Sequence, residues 1–104
     1  MVDFGAAWCG PCQKIAPFFA ELAGRYPSAR FVKVDVDDVE EAAAEAGVTA
    51  LPSFQVYRHG RREFELSGAD ESRLEAVVRR AVAFLAYSKR KAVEGGSVMA
   101  SWAV

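Results

Sequence analysis

Cys9 and Cys12 are the only cysteines in this chain of 104 residues, with Gly10-Pro11 between them. Four kinds of chemistry or structure can use such a pair. Half a zinc site is one, but zinc takes four ligands and the chain offers only His59 beyond the pair. A structural disulfide is another, but closing so short a loop removes little chain entropy. Two inert buried thiols are a third. The fourth is reversible thiol–disulfide exchange, which needs one sulfur held as a thiolate and a second within reach. If Cys9 sits just before a helix, the free amides and positive end of that helix favour its thiolate. Cys12, one turn further in, can then attack a mixed disulfide formed at Cys9. Trp8 before the pair, Gly-Pro inside it and a strand ahead of it favour this fourth use.

Those demands fix what the rest of the chain must supply. Val2 to Ala6 reads as the end of a short buried strand, and Gly10-Pro11 opens a helix, since proline is tolerated in a first turn. Cys12, Ile15, Ala16, Phe19, Ala20 and Leu22-Ala23 recur at helical spacing, with a kink expected at Pro17 and an end between Gly24 and Pro27. Arg30 to Val36 alternates β-branched with other residues and reads as a strand, central or near-central. Asp37 or Asp38 is the expected cap of a short helix to about Ala46, stopped by Gly47. Pro52 precedes a strand over Ser53–Tyr57, and His59-Gly60 turns it into a partner over Arg62–Leu66. Asp70 or Ser72 caps a last helix whose stripe is Leu74, Val77, Val78, Ala81, Val82 and Leu85. The helical pattern dissolves after about Lys91. The order strand, helix, strand, helix, strand, strand, helix implies an α/β fold around a mixed sheet. One domain over residues 1–92 and a tail over 93–104 are expected.

Composition narrows the function classes. Apolar residues at 52% and charged residues at 26% suit one globular core. Thirteen basic against fourteen acidic residues give a net charge of −1, so no field steers the chain toward nucleic acid or an anionic membrane. The basic clusters Arg58-His59-Gly60-Arg61-Arg62 and Lys89-Arg90-Lys91 lack interleaved aromatics, and read as a hairpin turn and a solvated helix end. The acidic run from Asp35 to Glu41 lacks the glycine and final bidentate Glu of a calcium loop. No apolar run is long enough to span a bilayer, and Met1-Val2-Asp3-Phe4 is not a basic region followed by an apolar one. A cytoplasmic location is the expectation.

The residues also resemble a family. Val2-Asp3-Phe4-Gly5-Ala6-Ala7-Trp8-Cys9-Gly10-Pro11-Cys12 is similar to the active-site segment of the thioredoxins, and Pro17 matches the kink of their active-site helix. Phe31-Val32-Lys33-Val34-Asp35-Val36-Asp37-Asp38 resembles a strand of the eukaryotic cytosolic type. Leu51-Pro52-Ser53-Phe54 resembles the segment with the family's cis-proline, Gly60 the hairpin, and Ser67-Gly68-Ala69 the loop before the final helix. The similarity runs from Val2 to about Val82. It implies a thioredoxin-like fold with about four strands, and protein-disulfide reduction through Cys9 as attacking and Cys12 as resolving thiol. It implies that Asp3 is a buried carboxylate exchanging a proton with Cys12 through water. It implies that Trp8, Gly10, Pro11, Ala50, Leu51, Pro52, Gly68 and Ala69 form a flat apolar docking surface around the cysteines. The Gly-Pro dipeptide resembles reductases, whereas isomerases and oxidases carry His before the second cysteine. No cofactor of the chain's own is implied. The implied partners are disulfide-containing client proteins and a flavin-dependent thioredoxin reductase.

The chain departs from the family at both ends. About twenty residues forming a strand and a helix usually precede Val2, and their absence here leaves an open edge on the strand Arg30–Val36 and uncovers part of one sheet face. The tail after Val82 is longer than the family's. Ser97 to Val104 reads as a flexible tail or a homodimer contact, with a strand folded back on the open edge as the alternative. A redox-sensitive interaction module with little turnover is the alternative function.

Overall fold

The computed structural model describes the backbone of residues 1–95 and the side chains of residues 1–84. The chain alternates β1 (Val2–Gly5), α1 (Gly10–Arg25), β2 (Val32–Asp35), α2 (Glu40–Glu45), β3 (Ser53–Arg58), β4 (Arg61–Ser67) and α3 (Glu71–Gly95). The four strands form one sheet in the order β2-β1-β3-β4. β1 runs parallel to β2 and antiparallel to β3, and β3 pairs antiparallel with β4. The α/β class with a mixed four-stranded sheet agrees with the reading of the sequence.

One expectation about the sheet is overturned. Among the described residues the strand at 30–36 is not central: β2 stands at one side of the sheet. Its valines alternate with Lys33 and Asp35, the pattern of a strand buried on one face only. β1 and β3 take the centre because Phe4 and Phe54 are almost fully buried, whereas Val32 stays 46% exposed. Among the described residues, no strand pairs with the outer side of β2.

A core of Met1, Ile15, Phe19, Leu22, Phe54, Val56, Leu66, Leu74 and Val78 joins the sheet to α1 and α3. Leu22 and Leu74, from the facing stripes of these two helices, are completely buried. α1 runs unbroken through Pro17, although that residue cannot donate to the carbonyl of Gln13. Across the surface, the Arg25 guanidinium reaches Glu75 of α3 at 2.8 Å.

The hairpin and two helix ends follow local chemistry. His59 and Gly60 both have positive φ, 55° and 75°, which matches the right-handed twist of a two-residue hairpin turn. Asp70 caps α3, its Oδ1 accepting the Arg73 amide at 3.1 Å. That helix continues to Gly95, past the expected fading at Lys91. The segment Ser97–Val104, including its suggested return to the sheet edge, lies outside the described residues, as does the side chain of Leu85.

The start of α2 is a second correction. Neither Asp37 nor Asp38 caps it; Val39 occupies the N-cap position without a side-chain bond. Asp37 is turned toward Trp8 instead, and its amide donates to Asp35 Oδ1 at 2.9 Å. Glu40 and Glu41 in the first turn offset the missing cap by facing the positive helix end. At the other end Gly47, with φ 72°, closes the helix, its amide on the Ala44 carbonyl and that of Val48 on the Ala43 carbonyl.

Candidate active site

Sheet register brings two loops to one end of the sheet. Phe4 of β1 lies opposite Ser53 of β3, so the residues after β1 and those before β3 emerge side by side. The first loop carries Trp8 and Cys9 into α1; the second carries Ala50, Leu51 and Pro52. Ser53 also pairs with Ser67 of β4, which brings in Gly68. The Leu51–Pro52 peptide is cis, as the resemblance implies. The Gly68 amide donates to the Pro52 carbonyl at 2.9 Å, with Gly68 at φ 98° where a side chain would be strained.

Cys9 is the N-cap of α1. Its Sγ accepts the Cys12 backbone amide at 3.2 Å, and its carbonyl accepts the Gln13 amide at 3.2 Å. The sulfur thus occupies the position where a serine or aspartate oxygen usually caps a helix, close to the free amides. Pro11 stands in the first turn, where its lost N–H has no partner to miss. Cys9 and Cys12 are joined by a disulfide, their Cα atoms 5.3 Å apart. Both are buried, packed with Ala6 and flanked by Val36 and Leu51. One helical turn holds both sulfurs, so the bond can open and close without unwinding α1.

Beside the disulfide runs a groove of about 560 Å³. Trp8, Cys9, Gly10 and Pro11 form one wall and Val48, Thr49, Ala50 and Leu51 the other, with Val36 and Ala43 also lining it. Trp8 is 71% exposed, yet its indole N–H donates to Asp37 Oδ2 at 2.8 Å. Gly68 and Ala69 do not line this groove; Gly68 lies behind Pro52, and Ala69 is exposed. Sequence reasoning missed Val36, Ala43, Val48, Thr49 and Asp37. Small and apolar residues in a short helix and its loop carry no mark that separates a groove wall from core.

Beneath the disulfide, Asp3 is only 3% exposed and its Oδ1 has no hydrogen-bond partner. Burial pushes its carboxyl up to about 6, with the Lys33 ammonium on the neighbouring strand pulling the other way. Asp3 and Cys12 both line a second cavity of about 340 Å³, which also touches Gly5, Gln13, Lys33 and Asp35. Gly5 lies between the two: a Cβ there would stand 3.4 Å from Cys12 Sγ and 3.8 Å from Asp3 Oδ1.

The basic hairpin cluster is used internally. Arg58 pairs with Glu63 at 2.9 Å and stacks 3.6 Å over the Phe84 ring, and Arg62 donates to the Ala46 carbonyl at 2.9 Å. His59 is exposed in the turn. No helix among the described residues is long and apolar enough to cross a membrane.

Comparison with known proteins agrees with this geometry. The thioredoxin family model matches residues 1–80. Thioredoxin-1 of Schizosaccharomyces pombe is 51% identical over 79 residues, which cover 76% of this chain and 77% of that one. The solved structure of Fasciola hepatica thioredoxin superposes with a TM-score of 0.75 at 48% identity, covering 76% of each chain. Plasmodium falciparum thioredoxin gives 0.75 at 43% identity, over 76% of this chain and 81% of that one. With its cysteine pair in this fold, the chain belongs to the thioredoxin family and is a thiol–disulfide oxidoreductase that reduces protein disulfides by dithiol–disulfide exchange.

Proposed function

We propose that Cys9 is the attacking thiol, Cys12 the resolving thiol and Asp3 the group that handles the Cys12 proton. In the reduced protein, the Cys9 thiolate attacks one sulfur of a client disulfide. A mixed disulfide forms and a client thiolate leaves. Cys12 then gives up its proton toward Asp3, and its thiolate attacks Cys9 Sγ. The second client thiolate leaves, and the Cys9–Cys12 bond forms. The client gains two electrons from this chain; of the two protons its thiolates take up, one replaces the Cys12 proton that passes through Asp3 and the other comes from solvent.

The observation that carries the reading is the Cys12 amide on Cys9 Sγ at 3.2 Å, which favours negative charge on Cys9 over Cys12. Asp3 is suited to its role because its carboxyl, raised to about 6, holds and releases a proton near neutral pH. Clients dock as extended segments against Trp8, Gly10, Pro11, Ala50, Leu51 and Pro52, with Gly68 and Ala69 on the far side of the cis-proline. Electrons come from a thioredoxin reductase, which makes the chain an electron carrier. It works in the cytoplasm, whose glutathione and thioredoxin systems keep thiols reduced; a lone redox pair with no other cysteines suits that compartment.

Insulin reduction in the presence of dithiothreitol tests the assignment. Cys9→Ser is expected to abolish turnover, and Cys12→Ser to trap mixed disulfides with client proteins. Trapping by Cys9→Ser, with none by Cys12→Ser, would reverse the two roles.

A further inference from the structure

One wall of the groove is a loop with few bonds of its own. Residues 49–51 lie between α2 and β3, outside any helix or strand, and Thr49 and Ala50 are exposed. Among the described residues these three make one hydrogen bond: the Ser53 hydroxyl donates to the Ala50 carbonyl at 2.6 Å. Ser53, the first residue of β3, is only 1% exposed. A hydroxyl has one proton and a carbonyl can only accept, so that proton is committed to Ala50. Ser67 lies opposite Ser53 in the sheet register, with the two hydroxyl oxygens 3.3 Å apart. Ser67 is therefore the donor of that pair. A relay runs from Ser67 through Ser53 to Ala50, and each donation strengthens the next.

The relay fixes a peptide plane. The Ala50–Leu51 peptide is trans, so its N–H points opposite to its C=O. With the carbonyl turned toward Ser53, the Leu51 N–H is turned away from it, and it meets no acceptor among the described residues. The Leu51 side chain is held separately, by packing against the cluster of Ala6, Cys9 and Cys12. On the other side of Leu51, the Gly68 amide donates to the Pro52 carbonyl at 2.9 Å. Ser67 and Gly68, at the end of β4, thus secure the backbone on both sides of Leu51.

We propose that Ser53 is a positioning residue for client docking: its hydroxyl holds the Ala50–Leu51 peptide so that the groove wall meets the backbone of a client segment in one orientation. The proposal rests on the reading that clients dock along this wall. Ser53 is buried and acts only through Ala50. Without the hydroxyl, residues 49–51 have no hydrogen bond to fix them, and the peptide plane is free to turn. Ordering it then falls to the bound client, which weakens docking. The exchange step, set by Cys9 and Cys12, is left as it was. A disulfide too small to reach the wall needs no such ordering.

Insulin reduction by the full chain, with KM and kcat resolved, tests the role. Ser53→Ala is expected to raise KM about three- to tenfold, the effect of losing one buried hydrogen bond, with kcat nearly unchanged. Reduction of a small aromatic disulfide should stay near the wild-type rate. Ser53→Thr keeps the hydroxyl on a residue suited to a strand and should restore KM. A merely structural role would lower the urea midpoint of Ser53→Ala and leave KM alone. Two measurements do not need that variant to fold. In the wild type, the Ser53 hydroxyl proton should exchange with water slowly enough to be seen by NMR. Ser67→Ala, at an exposed position, should raise KM in the same direction by a smaller factor. A folded Ser53→Ala with wild-type KM, a Ser53→Thr no better than Ser53→Ala, a rapidly exchanging Ser53 hydroxyl or a Ser67→Ala with wild-type KM would each overturn the proposal. Ala50→Arg, which crowds the wall itself, separates this failure from that of the docking reading. If Ala50→Arg raises KM and Ser53→Ala does not, only the role of Ser53 falls; if Ala50→Arg leaves KM unchanged, docking along this wall falls with it.

Discussion

The indole N–H of Trp8 donates to Asp37 Oδ2 at 2.8 Å, across 29 residues of sequence. This bond ties the residue before Cys9 to the turn that leads into α2, which lies across the groove. A ring 71% exposed to water has little packing to fix it, so the bond sets its orientation. Asp37→Ala is expected to lower catalytic efficiency on insulin a few-fold while leaving a small aromatic disulfide nearly unaffected. Stability should change by about 1 kcal/mol or less, as for one exposed hydrogen bond. In a Trp102→Phe background, where Trp8 is the only tryptophan, its fluorescence should become more mobile in anisotropy. Unchanged anisotropy would show that the ring is held by something else.

Among the described residues, His59 is the one residue other than glycine with positive φ, at 55°. Histidine tolerates that region better than most residues, but asparagine suits the first central position of this turn better still. His59→Asn is expected to stabilise the protein by about 0.5 kcal/mol, and His59→Val to destabilise it by about 1–2 kcal/mol through its branched Cβ. Urea unfolding of the two variants reads the difference. Equal midpoints would mean that the hairpin relaxes to another turn.

The legible parts of the fold were those written in local chemistry. Gly-Pro after a cysteine, His-Gly between two strands, and Asp70 ahead of an apolar stripe each satisfy one turn or one helix end within a few residues. What sequence could not convey was position in the sheet. The alternation of Val32, Val34 and Val36 announced a strand, but its place at the edge depends on which strands pack on both faces, a property of β1 and β3. The cap of α2 failed for a related reason. Asp37 had the right chemistry for a cap, but Trp8, distant in sequence, offered a competing donor. The cysteines were legible because reactivity demands rare residues, and the far wall of the groove was not, because shape can be built from common ones.

Among the described residues, Gln55 is the buried polar residue with the most side-chain partners. Its side-chain amide donates to the Ala46 carbonyl at 2.9 Å and to Glu65 Oε2 at 2.8 Å, and its oxygen accepts from the Tyr57 hydroxyl. It is completely buried, whereas Glu65 is exposed and Tyr57 and Ala46 are half-buried, so its partners regain part of the lost bonding from water. Gln55→Leu is expected to cost about 1–3 kcal/mol in urea unfolding. Ala46 ends α2 just before the Val48–Leu51 wall of the groove. The substitution should therefore raise KM for insulin more than it lowers kcat. A stability loss with KM unchanged would show that Arg62, which also donates to Ala46, holds the wall alone.

Asp3 links stability to pH with a definite sign. Its carboxyl titrates at about 6 in the folded protein against 3.8 in an unstructured chain. The folded state therefore holds the proton more tightly. The stability this contributes is complete below about pH 4 and is lost as pH rises through about 6. A separation of that size corresponds to about 3 kcal/mol. Asp3→Asn cannot ionise, so it should gain on the wild type by about 2–3 kcal/mol between pH 4 and pH 7.5. The comparison belongs to the oxidised protein, where Cys9 and Cys12 do not titrate. Any cost of fitting the amide beside the unpartnered Oδ1 site is the same at both pH values and drops out of the difference. A gap between variant and wild type that does not change with pH would mean that Asp3 titrates at an ordinary value. Its part in proton transfer at Cys12 would then have to be abandoned, since a carboxyl ionised at all working pH values has no proton to return.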